Sequence, residues 1–378
     1  MGHAGKAGKP GSTIIVTANS AWNLAHYRAP VIRALIGRDY RVVAAAAPDS
    51  ALPELESMGV EFVPVAIDAR GVSPLHDLAL VLGYRRIFKR VRPCAVLTFT
   101  AKPNIYGSLA ATSLGIPVVS TVTGLGTGFL SGRALQSLVS LLYRLSFRRC
   151  SKVFFHNKED LQLFIEKGLV RPGNGGVVPG SGVDLERFLA PAGSRANPVP
   201  TFLFIGRLLK DKGVVEFIEA AGMVASRREA RFQIAGTIEG HPKAVPPALI
   251  ASAERSGTVE MLGTTDDIRT FIRNADCVVL PSYREGLPRA LLEASAMATP
   301  VIATDAPGCR QVVEHGVTGL LCKPRSAKSL AEAMMAFAGM SPAKRAQMGR
   351  SGRAKVEREF SEEKVIEAYI NSLRELGC

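Results

Sequence analysis

Short runs of apolar, often β-branched residues alternate with helix-length amphipathic stretches along most of the chain. In the first half the runs are TIIVTA at 13–18, RVVAAAA at 41–47, EFVPV at 61–65, AVLTFT at 95–100, PVVSTVT at 117–123 and KVFFHN at 152–157. Helical spacing fills the intervals, for example around 28–37, 104–114 and 133–148. Strands that are apolar throughout are buried on both faces, and helices between them supply the crossovers of a parallel sheet. The stretch APAGSRANPVP at 190–200 interrupts the rhythm with Pro, Gly and Ser and reads as a linker. The alternation restarts with TFLFI at 201–205, RFQIA at 231–235, VEML at 259–262, CVVLP at 277–281 and PVIAT at 300–304. The pattern predicts an α/β protein of two doubly wound, Rossmann-like domains, 12–190 and 200–358. A last helix at about 361–375, with Val365, Ile366, Tyr369 and Leu373 on one apolar stripe, is expected to pack back on the first domain.

Ligands of open parallel sheets bind beyond the carboxyl ends of the strands, and two such domains facing each other would share a cleft there. Polar signals cluster at these ends. After 201–205 come Gly206-Arg207, a short loop, and Lys212-Gly213 opening the helix VVEFIEAA. Two cations beside unpaired helix N–H groups suit a diphosphate, although two solvated basic side chains give the same sequence. After 277–281 comes SYREGLPRALLEA. Pro288 fits the first turn of a helix, which leaves Glu285 in the loop and Glu293 more than a turn inside. A carboxylate accepts hydrogen bonds from vicinal hydroxyls, as on ribose or a hexose. Glu293 sits among Leu291, Leu292, Ala294 and Ala296, so its helix should be largely buried, and a buried carboxylate needs a partner. In the first half, His26 and Arg28 lie just after the first strand–helix loop, where an acceptor could enter or where a His simply packs in an early helix. Lys102 follows the strand 95–100 and could touch an acceptor phosphate.

Length and charge narrow the function classes. The chain has 378 residues, 47% of them apolar, enough for two buried cores. No apolar run is long enough to cross a bilayer, and MGHAGKAGKPGS lacks the apolar segment of a signal peptide. A cytoplasmic protein is expected. Six cysteines show neither C-x-x-C pairing nor metal-ligand spacing, so reduced thiols and no metal site are expected. The net charge of +14 is uneven: residues 1–190 carry 22 Lys and Arg against 12 Asp and Glu. From Leu78 to Lys158 there are 12 basic residues and no acidic one. Segment 133–149 places Leu135, Leu138, Leu142 and Leu145 on a stripe beside Arg144, Arg148 and Arg149, and 84–92 (YRRIFKRVR) is similar. Such basic–apolar patches suit an anionic membrane surface, unless the leucines pack on the sheet and only the arginines are exposed. Nucleic acid fits poorly, since aromatics are only 6% and no stacking platform is visible.

EGLPRALLE resembles the E-x7-E signature of the retaining glycosyltransferases of family four, which have the two-domain GT-B fold. FIGRLLKDKG, the long block IRNADCVVLPSYREGLPRALLEASAMATPVIATDAPGCRQVVEHGVTGLL, KPNIYGSLAA and TVTGLGTGF extend the likeness over nearly the whole chain after residue 12. The chain is similar to the bacterial subgroup that builds capsular and lipid-linked oligosaccharides on polyprenyl carriers. The resemblance implies a nucleotide-sugar donor, UDP-linked, as co-substrate with no cofactor. Arg207 and Lys212, with Gly206, would hold the donor diphosphate, Glu293 the ribose, and Glu285 the transferred hexose or N-acetylhexosamine with the amides of Gly286 and Leu287. It also implies retention of anomeric configuration and a polyprenyl-diphosphate-linked acceptor, on the inner face of the plasma membrane. Thr123, Gly124 and Gly126 follow a strand and allow close approach of a ligand; relatives often carry His where this chain has Thr123. The first loop, Asn19-Ser20-Ala21-Trp22, lacks the Gly-Gly pair common in relatives, and Gln311 replaces a common Glu. No D-x-D triplet occurs, so side-chain cations and helix amides, instead of a chelated metal, would neutralise the leaving diphosphate. The alternative reading is a non-hydrolysing sugar-nucleotide epimerase of the same architecture.

Overall fold

The computed structural model describes residues 12–68, 73–125, 133–191, 197, 199–238 and 243–378. Each predicted run forms a strand within one or two residues of its expected limits. In the first sheet these are β1 (Thr13–Thr17), β2 (Arg41–Ala46), β3 (Glu61–Pro64), β4 (Ala95–Phe99), β5 (Val118–Val122) and β6 (Lys152–Phe155), with β7 (Gly175–Val177) added at an edge. All pair in parallel in the order β3-β2-β1-β4-β5-β6-β7. The second sheet comprises β8 (Thr201–Ile205), β9 (Arg231–Ala235), β10 (Glu260–Gly263), β11 (Cys277–Leu280), β12 (Val301–Thr304) and β13 (Gly319–Cys322). Its order is β10-β9-β8-β11-β12-β13, again parallel. Only β7 and β13 were not foreseen. β7 opens with two glycines, and β13 is a three-residue apolar run behind a glycine, so neither shows a strand pattern in isolation.

Continuous apolarity has the expected cause. In β4, Ala95, Leu97 and Phe99 enter one core while Val96 enters the core on the opposite face. The last helix, Glu362–Glu375, closes the first of these: Val365, Tyr369, Ile370 and Leu373 are buried among residues of β1, β4 and β5. The Tyr369 hydroxyl lies 2.7 Å from Thr121 Oγ1, and the Tyr40 hydroxyl donates to the Cys378 carbonyl at 3.1 Å. The six cysteines are free thiols, five of them buried.

The chain divides into two units, Met1–Ser181 with Glu362–Cys378, and Gly182–Ser361. The division falls before the Pro/Gly/Ser stretch because residues 183–188 belong to the second core. Val183 and Phe188 are buried with Leu291, Leu292 and Val356. The Val183 N–H donates to the Phe360 carbonyl at 3.0 Å, and Arg353 donates to the carbonyls of Phe188 and Ala296, both at 2.6 Å. No described helix is long and apolar enough to cross a membrane.

Candidate functional site

In the second sheet the direction of strand succession reverses between β8 and β11, which pair in parallel. Their carboxyl ends therefore open the crevice where such sheets bind ligands. β8 runs into Gly206 and Arg207; buried Leu208 and Leu209 turn the chain inward, and one 3-10 turn, Lys210–Lys212, precedes the helix Val214–Ala225. Gly213 joins turn to helix at φ 75°, and a Cβ there would lie 2.1 Å from the Pro281 carbonyl oxygen at the end of β11. Glycine is what allows this approach. Gly213→Ala is expected to destabilise the fold by about 2–3 kcal/mol through strain and overpacking. A denaturant titration should show a lower midpoint with an unchanged slope; an unmoved midpoint would contradict the close packing.

The loop after β11 is fastened to that turn. The Tyr283 N–H donates to the Asp211 carbonyl at 2.9 Å, and Ser282 Oγ lies 3.1 Å from the same oxygen. Ser282 Oγ is also 2.6 Å from Glu285 Oε1, which receives Lys212 Nζ at 2.5 Å. The Glu285 N–H donates to the Pro307 carbonyl at 3.0 Å. Gly308, at φ 86°, lies so close behind that a Cβ would sit 2.5 Å from the Glu285 carbonyl oxygen. Lys212 and Glu285, on different loops, thus form one ion pair whose side chains keep only 22% and 13% of their surface exposed.

Glu293 is held separately. Pro288 is extended and caps the helix Arg289–Ala296, which starts one residue later than the proline suggests. Leu291, Leu292, Ala294 and Ala296 are buried as expected, and so is Glu293 at 8% exposure. Burial raises the Glu293 pKa above the usual carboxylate value, opposed by the nearby charges of Arg289 and Arg187. Arg289 approaches Oε1 with Nε and Nη2, each at 3.0 Å. Arg207 is exposed just past β8, Gly286 is buried, and Leu287 packs half-buried against Leu291 and Leu292.

Three of the first-unit candidates have partners of their own. His26, exposed in the helix Ala21–Tyr27, stacks on Trp22 at 4.5 Å between ring centroids and places Nδ1 3.1 Å from the Trp22 carbonyl. Arg28 is buried, its guanidinium 4.2 Å over the Phe99 ring. Lys102 pairs with Asp77 at 2.7 Å, and Asp77 also accepts from the Tyr106 hydroxyl at 2.7 Å. Thr123 and Gly124 follow β5, half-buried; Gly126 lies outside the described residues. At the β1/β4 reversal, Thr100 takes φ 66° and its hydroxyl accepts from the Asn19 N–H at 3.1 Å. A threonine in that region is strained, which marks the position as constrained by its surroundings.

Sequence reasoning missed Ser282, Arg289 and Arg187. Arg289 had a signal, since a cation four residues before Glu293 meets it on a helix face. Ser282, directly after a strand, was indistinguishable from loop polarity. Also missed was His156 beyond β6, buried and held neutral, its pKa driven well below the usual histidine value by burial and by Arg28.

Comparison with known proteins gives this geometry a context. The family model "Glycosyl transferases group 1" matches residues 190–355, and "Glycosyl transferase 4-like domain" matches 24–180. The chain is 27% identical over 323 residues, 81% of its length and 84% of the other's, to the Campylobacter jejuni N,N'-diacetylbacillosaminyl-diphospho-undecaprenol alpha-1,3-N-acetylgalactosaminyltransferase. It is 26% identical over 303 residues, 74% of this chain and 75% of the other, to an Escherichia coli UDP-Gal:alpha-D-GlcNAc-diphosphoundecaprenol alpha-1,3-galactosyltransferase. A solved glycosyltransferase from Rickettsia africae superposes with a TM-score of 0.80 at 18% identity, over 97% of this chain and 99% of that one. The Anabaena protein HepE, solved with UDP and glucose, also reaches 0.80 at 18% identity, over 96% of this chain and 100% of that one. These matches favour sugar transfer over epimerisation. With two parallel-sheet units of the GT-B type and both halves matched by glycosyltransferase models, the chain is a glycosyltransferase, similar to those of group 1 and family four.

Proposed function

We propose that this glycosyltransferase moves a hexose or N-acetylhexosamine from a UDP-linked donor to a polyprenyl-diphosphate-linked saccharide with retention of configuration. The observation that carries the reading is the pairing of Lys212 with Glu285 at the β8/β11 reversal, with the buried Glu293 on the helix that follows. Lys212, Arg207 and the amides opening the helix Val214–Ala225 would meet the donor diphosphate. Glu285 and the amides of Gly286 and Leu287 would meet the sugar, and Glu293 the ribose. Charge growing on the leaving diphosphate is stabilised by fixed cations in a partly dry site, and the acceptor hydroxyl attacks from the face the diphosphate leaves. No resident cofactor and no metal enter this scheme; the nucleotide sugar is a co-substrate. Relatives that use undecaprenyl-diphosphate carriers support the acceptor class.

A lipid-linked acceptor calls for a membrane surface, and the first unit supports one. The helix Pro74–Val91 exposes Leu75, Leu78 and Leu82, and the helix Arg133–Phe147 exposes Leu138, Leu141 and Leu145, between 45% and 79% each. Arg144, Arg148 and Arg149 are exposed beside the second set. Leu142 instead packs on the core, so the predicted stripe divides between core and solvent. We read these helices as a peripheral docking face for anionic lipid on the inner leaflet.

Incubation with a panel of nucleotide sugars and a polyprenyl-diphosphate saccharide tests the reaction. Acceptor-dependent UDP release that persists in EDTA, with an α-linked product from an α-linked donor, is expected; donor isomerisation without acceptor would sink it. For the membrane face, Leu141→Glu with Leu145→Glu should cut sedimentation with anionic vesicles at least about ten-fold. Transfer to a short, soluble acceptor should be unchanged. Undiminished vesicle binding would discard the docking face.

A further inference from the structure

Ser282 is fully buried directly after β11, and its one hydroxyl proton is shared between two acceptors, one in each half of the site. It lies 3.1 Å from the Asp211 carbonyl, in the turn that carries Lys212, and 2.6 Å from Glu285 Oε1. Its own carbonyl accepts from Thr304 Oγ1 on β12, which fixes its backbone. Lys212 Nζ reaches the same oxygen of Glu285 at 2.5 Å. One carboxylate oxygen is thus shared by a hydroxyl and an ammonium, with the hydroxyl rooted in the sheet. The pair is largely shielded from water, and such a pair is stronger the less its geometry wanders.

We propose that Ser282 is a positioning residue that clamps Glu285 onto Lys212, making the carboxylate a built-in counter-ion with which a nucleoside diphosphate must compete. The idea rests on the donor-site reading above. With a nucleotide sugar, Glu285 gains hydroxyl partners as Lys212 turns to the phosphates. Once the sugar has moved to the acceptor, those hydroxyls are gone, and Glu285 recaptures Lys212 from the diphosphate product. The clamp thereby opposes product retention more than donor binding. No covalent step is added.

Calorimetric titration of UDP, with GDP in parallel, against the wild type, Ser282→Ala, Glu285→Gln and Lys212→Ala tests this. Glu285→Gln should bind the diphosphate about ten-fold more tightly, because Lys212 loses its competitor. Ser282→Ala should bind it about three-fold more tightly while turnover at saturating donor falls about ten-fold, because Glu285 no longer meets the sugar squarely. A merely structural loss would weaken binding and turnover together. Equal or weaker diphosphate binding in Glu285→Gln, or parallel losses in Ser282→Ala, overturns the clamp. If neither diphosphate binds the wild type, or Lys212→Ala binds as well as the wild type, the donor-site reading itself fails.

Discussion

Lys212→Ala is expected to lower sugar transfer at saturating donor about 10²–10³-fold, the range seen when one fixed electrostatic partner of a developing charge is removed. The reason is local. Lys212 is only 22% exposed in its side chain, and Gly213 pins its turn against the end of β11, so solvent cannot replace the ammonium at the same position. The substitution also removes the Lys212–Glu285 ion pair, and a partly buried carboxylate that loses its cation destabilises the fold. Lys212→Ala combined with Glu285→Gln separates the two effects: thermal stability should return toward wild type while transfer stays low. A single variant retaining more than about a tenth of wild-type turnover would remove Lys212 from the reaction. Arg207→Ala should do less, because Arg207 is exposed and water can screen its absence.

The second large effect is expected at Glu293. Glu293→Ala should weaken donor binding about 10–100-fold, the worth of hydrogen bonds to a charged group, with a smaller change in turnover once donor is saturating. It should also destabilise the protein, because Arg289 loses the carboxylate it pairs with. The pH dependence has a definite sign. Burial raises the folded-state pKa above the unfolded value, so the folded protein holds this proton more tightly. The stability this group contributes is therefore full below the unfolded pKa and lost as pH rises through the folded one. Donor binding moves the other way, since only the ionised form accepts two ribose hydroxyls. The donor KM should climb on mild acidification, at a higher pH than an ordinary glutamate would give, and Glu293→Gln should abolish that climb. A wild-type KM flat through that range, or unaltered donor affinity in the alanine variant, would separate Glu293 from the nucleotide.

Much of the fold lies open in the pattern of the chain. Parallel strands buried on both faces are apolar at every position, so eleven of them stand out against amphipathic helices. Glu293 was legible as a buried carboxylate because Leu291, Leu292, Ala294 and Ala296 leave its helix no polar face to rest on. Residues 183–188 were misplaced by composition, since a Pro/Gly/Ser stretch marks where a chain turns but not which core claims the segment before it. His26, Arg28 and Lys102 looked alike as polar residues beside strand ends. The structure gives them a stacked surface ring, a buried guanidinium over Phe99 and an ion pair with Asp77.

By itself the sequence determined two parallel-sheet domains, the places where their strands end, and which residue types wait there, because burial periodicity and glycine or proline punctuation act over a few residues. Tertiary structure alone decided that Lys212 and Ser282 share one carboxylate oxygen of Glu285, that Arg289 takes one side of Glu293, and that the leucines of Arg133–Phe147 divide between core and water. Those outcomes depend on the strand order β8-β11-β12, which brings loops distant in sequence to within a hydrogen bond of each other, and no local pattern encodes that distance.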